Sequence, residues 1–168
     1  MKKFVLFTAM LFTAKILIAQ IIHIPADYPS IQEGINAACD GDTVLVHPGT
    51  YFENVNIENK SLTLGSLFLT TQDTSYMSQT VIDGGGAGNI LFVSGSSNVR
   101  ISGITITGGN CGIACLGSSN VIMEQLIITG NAGGFVLPMG AGVYISNCID
   151  CLFKDVIISN NILKFPTS

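Results

Sequence analysis

Two close pairs of cysteines, Cys111 with Cys115 and Cys148 with Cys151, carry the most readable chemistry in this sequence, because four thiolates at such spacings can enclose a zinc ion. Cys39 makes the total five, an odd number for a chain stapled by disulfides alone. A second candidate is Gly85-Gly86-Ala87-Gly88-Asn89-Ile90-Leu91-Phe92. It fits the nonapeptide G-G-x-G-x-D-x-U-x of calcium-binding parallel β-rolls, except that Asn89 replaces the aspartate. In those rolls each ion sits between successive copies, so one copy without its carboxylate reads as a glycine corner rather than a calcium site. Charged candidates are sparse: between Asp83 and Asp150 only Arg100 and Glu124 are charged. His23 and His47 lie near the start of the chain, outside any motif that would give them a chemical role.

The elements that must position these residues form a repeat. Residues 97–131, SSNVRISGITITGGNCGIACLGSSNVIMEQLIITGN, contain one pattern twice: Asn98, Val99, Ile101, Ile104, Ile106 and Thr107 recur 22 positions later as Asn120, Val121, Met123, Leu126, Ile128 and Thr129. A further shift of 30 brings Asp150, Cys151, Phe153, Val156, Ile158 and Ser159 into the same slots. Recurrence at this period marks a solenoid. Cys151 therefore takes an apolar slot, where a thiol packs as a small hydrophobe. The zinc reading yields to that packing, a disulfide between neighbouring turns is the stronger alternative, and its pairing stays open. In the same frame Arg100 falls opposite Ile122 and Glu124 opposite Ser102, so no charge is expected to stack beside either, and Arg100 reads as an outward, solvated side chain. No catalytic, binding or metal-ligating residue is assigned, and no cofactor is expected.

Each turn should consist of short strands, here 90–93, 99–101, 104–106 and 112–116, with alternate residues pointing inward and Gly or Asn at corners that need positive φ. An isolated turn cannot bury its inner face. Turns stacked about 4.8 Å apart can, with Ile101 on Met123 and Ile106 on Ile128. Asn110, Asn131 and Asn160 or Asn161 are expected to form an amide ladder at one corner. The extra residues between the second and third copies, 131–140, predict a loop carrying Phe135, Leu137 and Met139 that either stands outward or folds back over the coil.

Ahead of the repeat, residues 21–24 predict a strand, and Ser30 with Glu33 three residues on predicts a capped helix ended by Asp40-Gly41. Ile31, Ile35 and Ala38 share one face of it, so this short helix should lie across the open end of the coil. Residues 43–46 read as a strand, 51–57 as one extended stretch, 67–70 as another strand and 72–79 as a polar loop. The first 19 residues have the charge and apolar pattern of a secretory leader. Removing Lys2, Lys3 and Lys15 with it leaves four basic side chains against eleven acidic ones, a net charge of −7. Such a surface repels nucleic acid and anionic lipid, and no membrane insertion of the mature chain is expected. The expected organisation is a leader at 1–19, a strand and capping helix at 20–41, and coil turns over 42–168 that end as a fragment of a longer solenoid.

The run IHIPADYPSIQEGINAACDGDTVLVHPGTYFENVNI, followed by KSLTLGS, TVIDGGG and SSNVRISGITITGG, resembles the start of secreted right-handed parallel β-helix proteins of the pectin-lyase-like superfamily, and the likeness runs from about residue 22 to 161. It implies an all-β, right-handed parallel β-helix with a short N-terminal capping helix. Gly49-Thr50-Tyr51-Phe52-Glu53 is similar to an early Gly-x-Tyr-x-Glu segment of pectinesterases, where it is architectural, so Tyr51 and Glu53 are not nominated as catalytic. The superfamily's lyases, esterases and hydrolases each use clustered charged residues that find no match here. The expectation is a secreted or surface module, non-catalytic as it stands, that presents loops to polysaccharide or surface glycans or acts as a scaffold. The alternative is the first part of a polysaccharide lyase or carbohydrate esterase whose catalytic turns lie beyond residue 168.

Overall fold

A computed structural model describes residues 18–133 and 141–163. Nearly all of the expected leader, and the part of the expected loop carrying Phe135, Leu137 and Met139, lie outside the described residues. The remaining chain coils into stacked turns whose strands form three main parallel sheets. The first sheet has six strands, in order β1 (Ile21–Ile24), β2 (Thr43–Val46), β5 (Thr63–Ser66), β8 (Ser97–Ser102), β11 (Ser119–Glu124) and β15 (Ile149–Lys154). The second has five: β3 (Gly49–Phe52), β6 (Thr80–Asp83), β9 (Thr105–Thr107), β12 (Ile127–Thr129) and β16 (Ile157–Ser159). The third has four: β4 (Val55–Glu58), β7 (Asn89–Ser94), β10 (Cys111–Leu116) and β14 (Val143–Ser146). The short strands β13 (Ala132–Gly133) and β17 (Ile162–Leu163) pair at a corner. The four turns that begin at β2, β5, β8 and β11 each contribute one strand to each main sheet, so the fold is an all-β parallel solenoid.

The register explains why the repeat is tolerant of residue type but strict in position. Inside the first sheet one column runs Ile22, Val44, Leu64, Ile101, Met123, Phe153, and inside the second Ile82, Ile106 and Ile128 stack in line. Ile101, Met123, Ile106 and Ile128 are wholly buried, and burying each such side chain stabilises the fold by about 1.5–3 kcal/mol. Corners are set by single left-handed residues that recur turn by turn. Asn98, Asn120 and Asp150 have φ of 54, 50 and 54°, and Asn120 Nδ2 donates to Asn98 Oδ1 at 2.7 Å. Asn and Asp tolerate this conformation because their short polar side chains bond locally.

The N-terminal end is closed by helix α1 (Ile31–Ala37). Ser30 Oγ accepts from the Glu33 amide, and Ile31 and Ile35 are buried against the first turn. The ends of the helix are held from outside it. Glu53 accepts from the Ile31 and Gln32 amides at 2.9 and 3.0 Å, while Lys60 Nζ donates to the carbonyls of Ile35, Asn36 and Ala38 at 2.7, 3.2 and 2.7 Å. A carboxylate at the N-terminus and an ammonium at the C-terminus both oppose the helix dipole.

Three local expectations need correction. Residues 51–57 are not one strand, because the chain turns at Glu53-Asn54 between β3 and β4 to bring Glu53 under α1. The strand expected over 67–70 and the loop over 72–79 are two short helices, α2 (Phe68–Thr71) and α3 (Ser75–Gln79). Buried Ser66 Oγ accepts from the Phe68 amide, and the Leu67 carbonyl takes the Thr70 and Thr71 amides, which starts a helical turn where alternation suggested a strand. The amide ladder is displaced by one residue. Asn110 is exposed, and Gly109 is the register mate whose amide donates to Asn131 Oδ1 at 3.1 Å; Asn131 Nδ2 in turn donates to Asn161 Oδ1 at 2.9 Å.

Candidate functional site

Departures from the repeat bring three groups of side chains together, and a cleft opens beside α3. On the outer face of the first sheet, Arg100 reaches diagonally from β8 to β11. Its Nε donates to Glu124 Oε1 at 2.8 Å, its Nη2 contacts the same oxygen, and Ser102 Oγ donates to it at 3.2 Å. The expectation that nothing charged sits beside these residues is therefore wrong. Their directly opposed partners are Ile122 and Ser102, as the alignment had it, but long side chains also meet at the diagonal position two residues on. Glu124 is buried while the Arg100 side chain is 45% exposed. One carboxylate with one guanidinium makes a neutralised pair. The position after Glu124 in the next turn is Lys154, so no second carboxylate joins it there for acid–base work.

His23 and His47 also meet, Nδ1 to Nε2 at 3.1 Å with ring centroids 5.4 Å apart, on the outside of the first two strands. Tyr51 lies close by and donates to the His47 carbonyl at 2.9 Å. Burial, reinforced by the Glu53 carboxylate, holds the Tyr51 hydroxyl above its usual range, so it stays a donor. Tyr51 and Glu53 are thus occupied in binding the cap to the coil.

The cysteines divide differently from the two sequence pairs. Cys115, Cys148 and Cys151 place their sulfurs within 4.8 Å of one another. Cys111 stays apart and donates to the Ile113 carbonyl at 3.2 Å, and Cys39 is exposed beyond the end of α1. Burial pushes the Cys111 thiol up to about 11 and that of Cys115 to about 12, the latter reinforced by Cys148. At Gly85 the amide donates to Asp83 Oδ1 at 2.9 Å in a plain turn between β6 and β7. Among the described residues, these three sulfurs form the one cluster of three or more metal-ligating side chains.

The cleft, of about 510 Å³, runs between α3 and the second sheet. Its floor is Ile127, Val156 and Ile157, its helix side is Met77 of α3, and its rim is Thr74, Ser78, Gln125 and Asp155. Ile127 and Ile157 are register partners, so the floor extends from one turn to the next, and Gln125 Nε2 donates to Asp155 Oδ2 at 3.1 Å. Sequence reading missed this site because 72–79 looked like a free loop. The available signal was the pair of outward isoleucines at a slot where the preceding turns carry Thr105 and Val81.

Stacked parallel turns, a helix across the first of them and an open cleft along one outer face define a parallel β-helix. The chain belongs to the right-handed beta helix region family, which it matches over residues 33–164. A comparison with curated proteins gives no match. Among solved structures the chain is similar to a pectin methylesterase in complex with hexasaccharide VII, at TM-score 0.58 and 11% identity, covering 84% of this chain and 55% of that one. It is similar also to pectin methylesterase PemA from Erwinia chrysanthemi and to a mutant pectin methylesterase in complex with hexasaccharide IV, each at TM-score 0.54 and 12% identity with the same coverage. At such identities the likeness carries the fold, and the chain spans about half the length of these enzymes.

Proposed function

We propose that the chain is a polysaccharide-binding β-helix module, exported by its leader and non-catalytic over its described residues, with the cleft beside α3 as the sugar seat. The cleft carries this reading. Its apolar floor suits the C–H face of a pyranose, and the hydroxyls and amide of Thr74, Ser78 and Gln125 suit ring hydroxyls. The acidic balance of the chain and Asp155 on the rim favour a neutral glycan over a polyanionic one. Among the described residues no helix is long and apolar enough to cross a membrane. Titration calorimetry against neutral and acidic oligosaccharides tests the proposal. Binding of a neutral oligosaccharide that is lost in Ile157→Asp, at an exposed floor position, supports it; equal binding by that variant, or no binding across the panel, refutes it.

A second reading, the first part of a polysaccharide esterase or lyase, draws support from the resemblance to pectin methylesterases over 84% of this chain but only 55% of theirs. An esterase and lyase screen on this chain beside the longest continuous reading frame separates the two. Activity in the longer form alone favours the second reading.

A further inference from the structure

We propose that Cys115 and Cys148 form a disulfide across neighbouring turns, a redox-controlled staple between β10 and the corner ahead of β15, and that Cys151 stays a thiol beside it. Three separate positions in the coil converge on this point. Cys115 lies in the inward column below Val93 and above Ile145. Cys151 lies below Val121 in the column of the first sheet. Cys148 takes the corner slot held by Ser96 and Ser118 in the two preceding turns. Each of these three side chains donates to the carbonyl two residues back, Ser94, Leu116 and Ser146, at 3.1, 3.0 and 3.4 Å. That corner geometry turns the Cys148 sulfur toward the interior, 3.5 Å from Cys115 Sγ. Closing to a disulfide of about 2.0 Å asks only for small side-chain rotations.

The surroundings select this pair and this product. The short sulfur contact of Cys148 is the 3.5 Å approach to Cys115, while left-handed Asp150 turns the backbone between Cys148 and Cys151. A metal held by three thiolates would place net negative charge in a column of Val93, Val121 and Ile113, whereas a disulfide is neutral. Cys148 is part-exposed and Cys115 wholly buried, which fixes the order of events. The Cys148 thiolate attacks a small-molecule disulfide such as oxidised glutathione and releases one glutathione thiolate. The Cys115 thiolate then attacks Cys148 Sγ and displaces the second. Two protein thiols are oxidised, one small disulfide is reduced to two thiols, and the two protein protons pass to the leaving groups.

The test needs no knowledge of the glycan and is independent of the proposed function. The chain is equilibrated in glutathione buffers of stepped poise, quenched in acid, denatured, alkylated and mapped by peptide mass. We expect alkylation of five cysteines under reducing poise to fall to three under oxidising poise, with a single cross-linked peptide joining Cys115 to Cys148. Cys115→Val and Cys148→Ser install the residues that preceding turns hold at these slots, so the coil is retained and the cross-link is lost; Cys151→Val leaves it intact. The unfolding midpoint should be higher in the oxidised than in the reduced chain, and this difference should vanish in Cys148→Ser. Five alkylated thiols at oxidising poise, a cross-link through Cys151, or stoichiometric metal on the reduced chain that Cys115→Val abolishes would each overturn the assignment.

Discussion

Helix α1 has seven residues, too few to persist without external support, so its clamp by Glu53 and Lys60 should account for a measurable part of the stability. In Glu53→Ala the Ile31 and Gln32 amides lose both carboxylate oxygens. A hydrogen bond to a charged group contributes about 1.5–3 kcal/mol. Water can recover part of the Gln32 bond, while Ile31 is buried, so the expected net loss is about 2–3 kcal/mol. Lys60→Met keeps the aliphatic stem and removes three donors from the last carbonyls. A cation there contributes about 1–2 kcal/mol when partly buried. Both changes act by releasing the same helix from the same apolar end. The double variant should therefore lose less than the two single losses combined. Urea unfolding followed by far-ultraviolet circular dichroism measures this, since the chain has no tryptophan. A Glu53→Ala midpoint within about 0.5 kcal/mol of the parent, or strictly additive losses, would refute the argument that the clamp seats the cap.

Arg100→Met should destabilise by about 1–2 kcal/mol, less than for a fully buried pair because the guanidinium is partly solvated. Adding Glu124→Gln should restore part of the loss in a double-mutant cycle on urea midpoints. Asn131→Ala leaves the buried Gly109 amide without its acceptor and breaks the bond to Asn161, so a loss of about 2–3 kcal/mol is expected, read by thermal unfolding. In the reduced chain, Cys115 remains protonated to about 12 when folded but ionises from about 9.0 when unfolded. Unfolding thus releases a proton in that window, and stability should fall as pH rises from about 9 toward 12. Cys115→Val should flatten this slope in pH-stepped urea titrations, as should oxidation to the proposed disulfide.

How much could be read in the sequence follows from where each feature gets its information. The coil was legible because each inward slot is filled by stacking on the same slot one turn away. Val99 above Val121 above Cys151 thus records a contact in sequence spacing alone. The amide ladder was legible in kind but misplaced by one residue, since matching Asn to Asn chose Asn110 where the 22-residue register requires Gly109. Contacts off the register left no such trace. Arg100 meets Glu124 diagonally, and alignment of facing residues cannot show that.

Function in this chain is to be sought where the repeat breaks. A slot that repeats faithfully is already explained by stacking, so it is a poor candidate for chemistry. Departures from the repeat carry the information: a cysteine where two turns use serine, an isoleucine pair on an outer face, and an excursion of two short helices that neither strand nor loop rules anticipated. Two of these departures coincide at the cleft, where α3 stands over Ile127 and Ile157. Apolar side chains on the outside of a solenoid gain nothing from the column within it. A helix that covers them only partly leaves a groove whose length is set by the number of turns that keep the isoleucine. A ligand made of repeating units matches a floor made of repeating turns, which is why the proposed ligand is a polysaccharide rather than a compact metabolite.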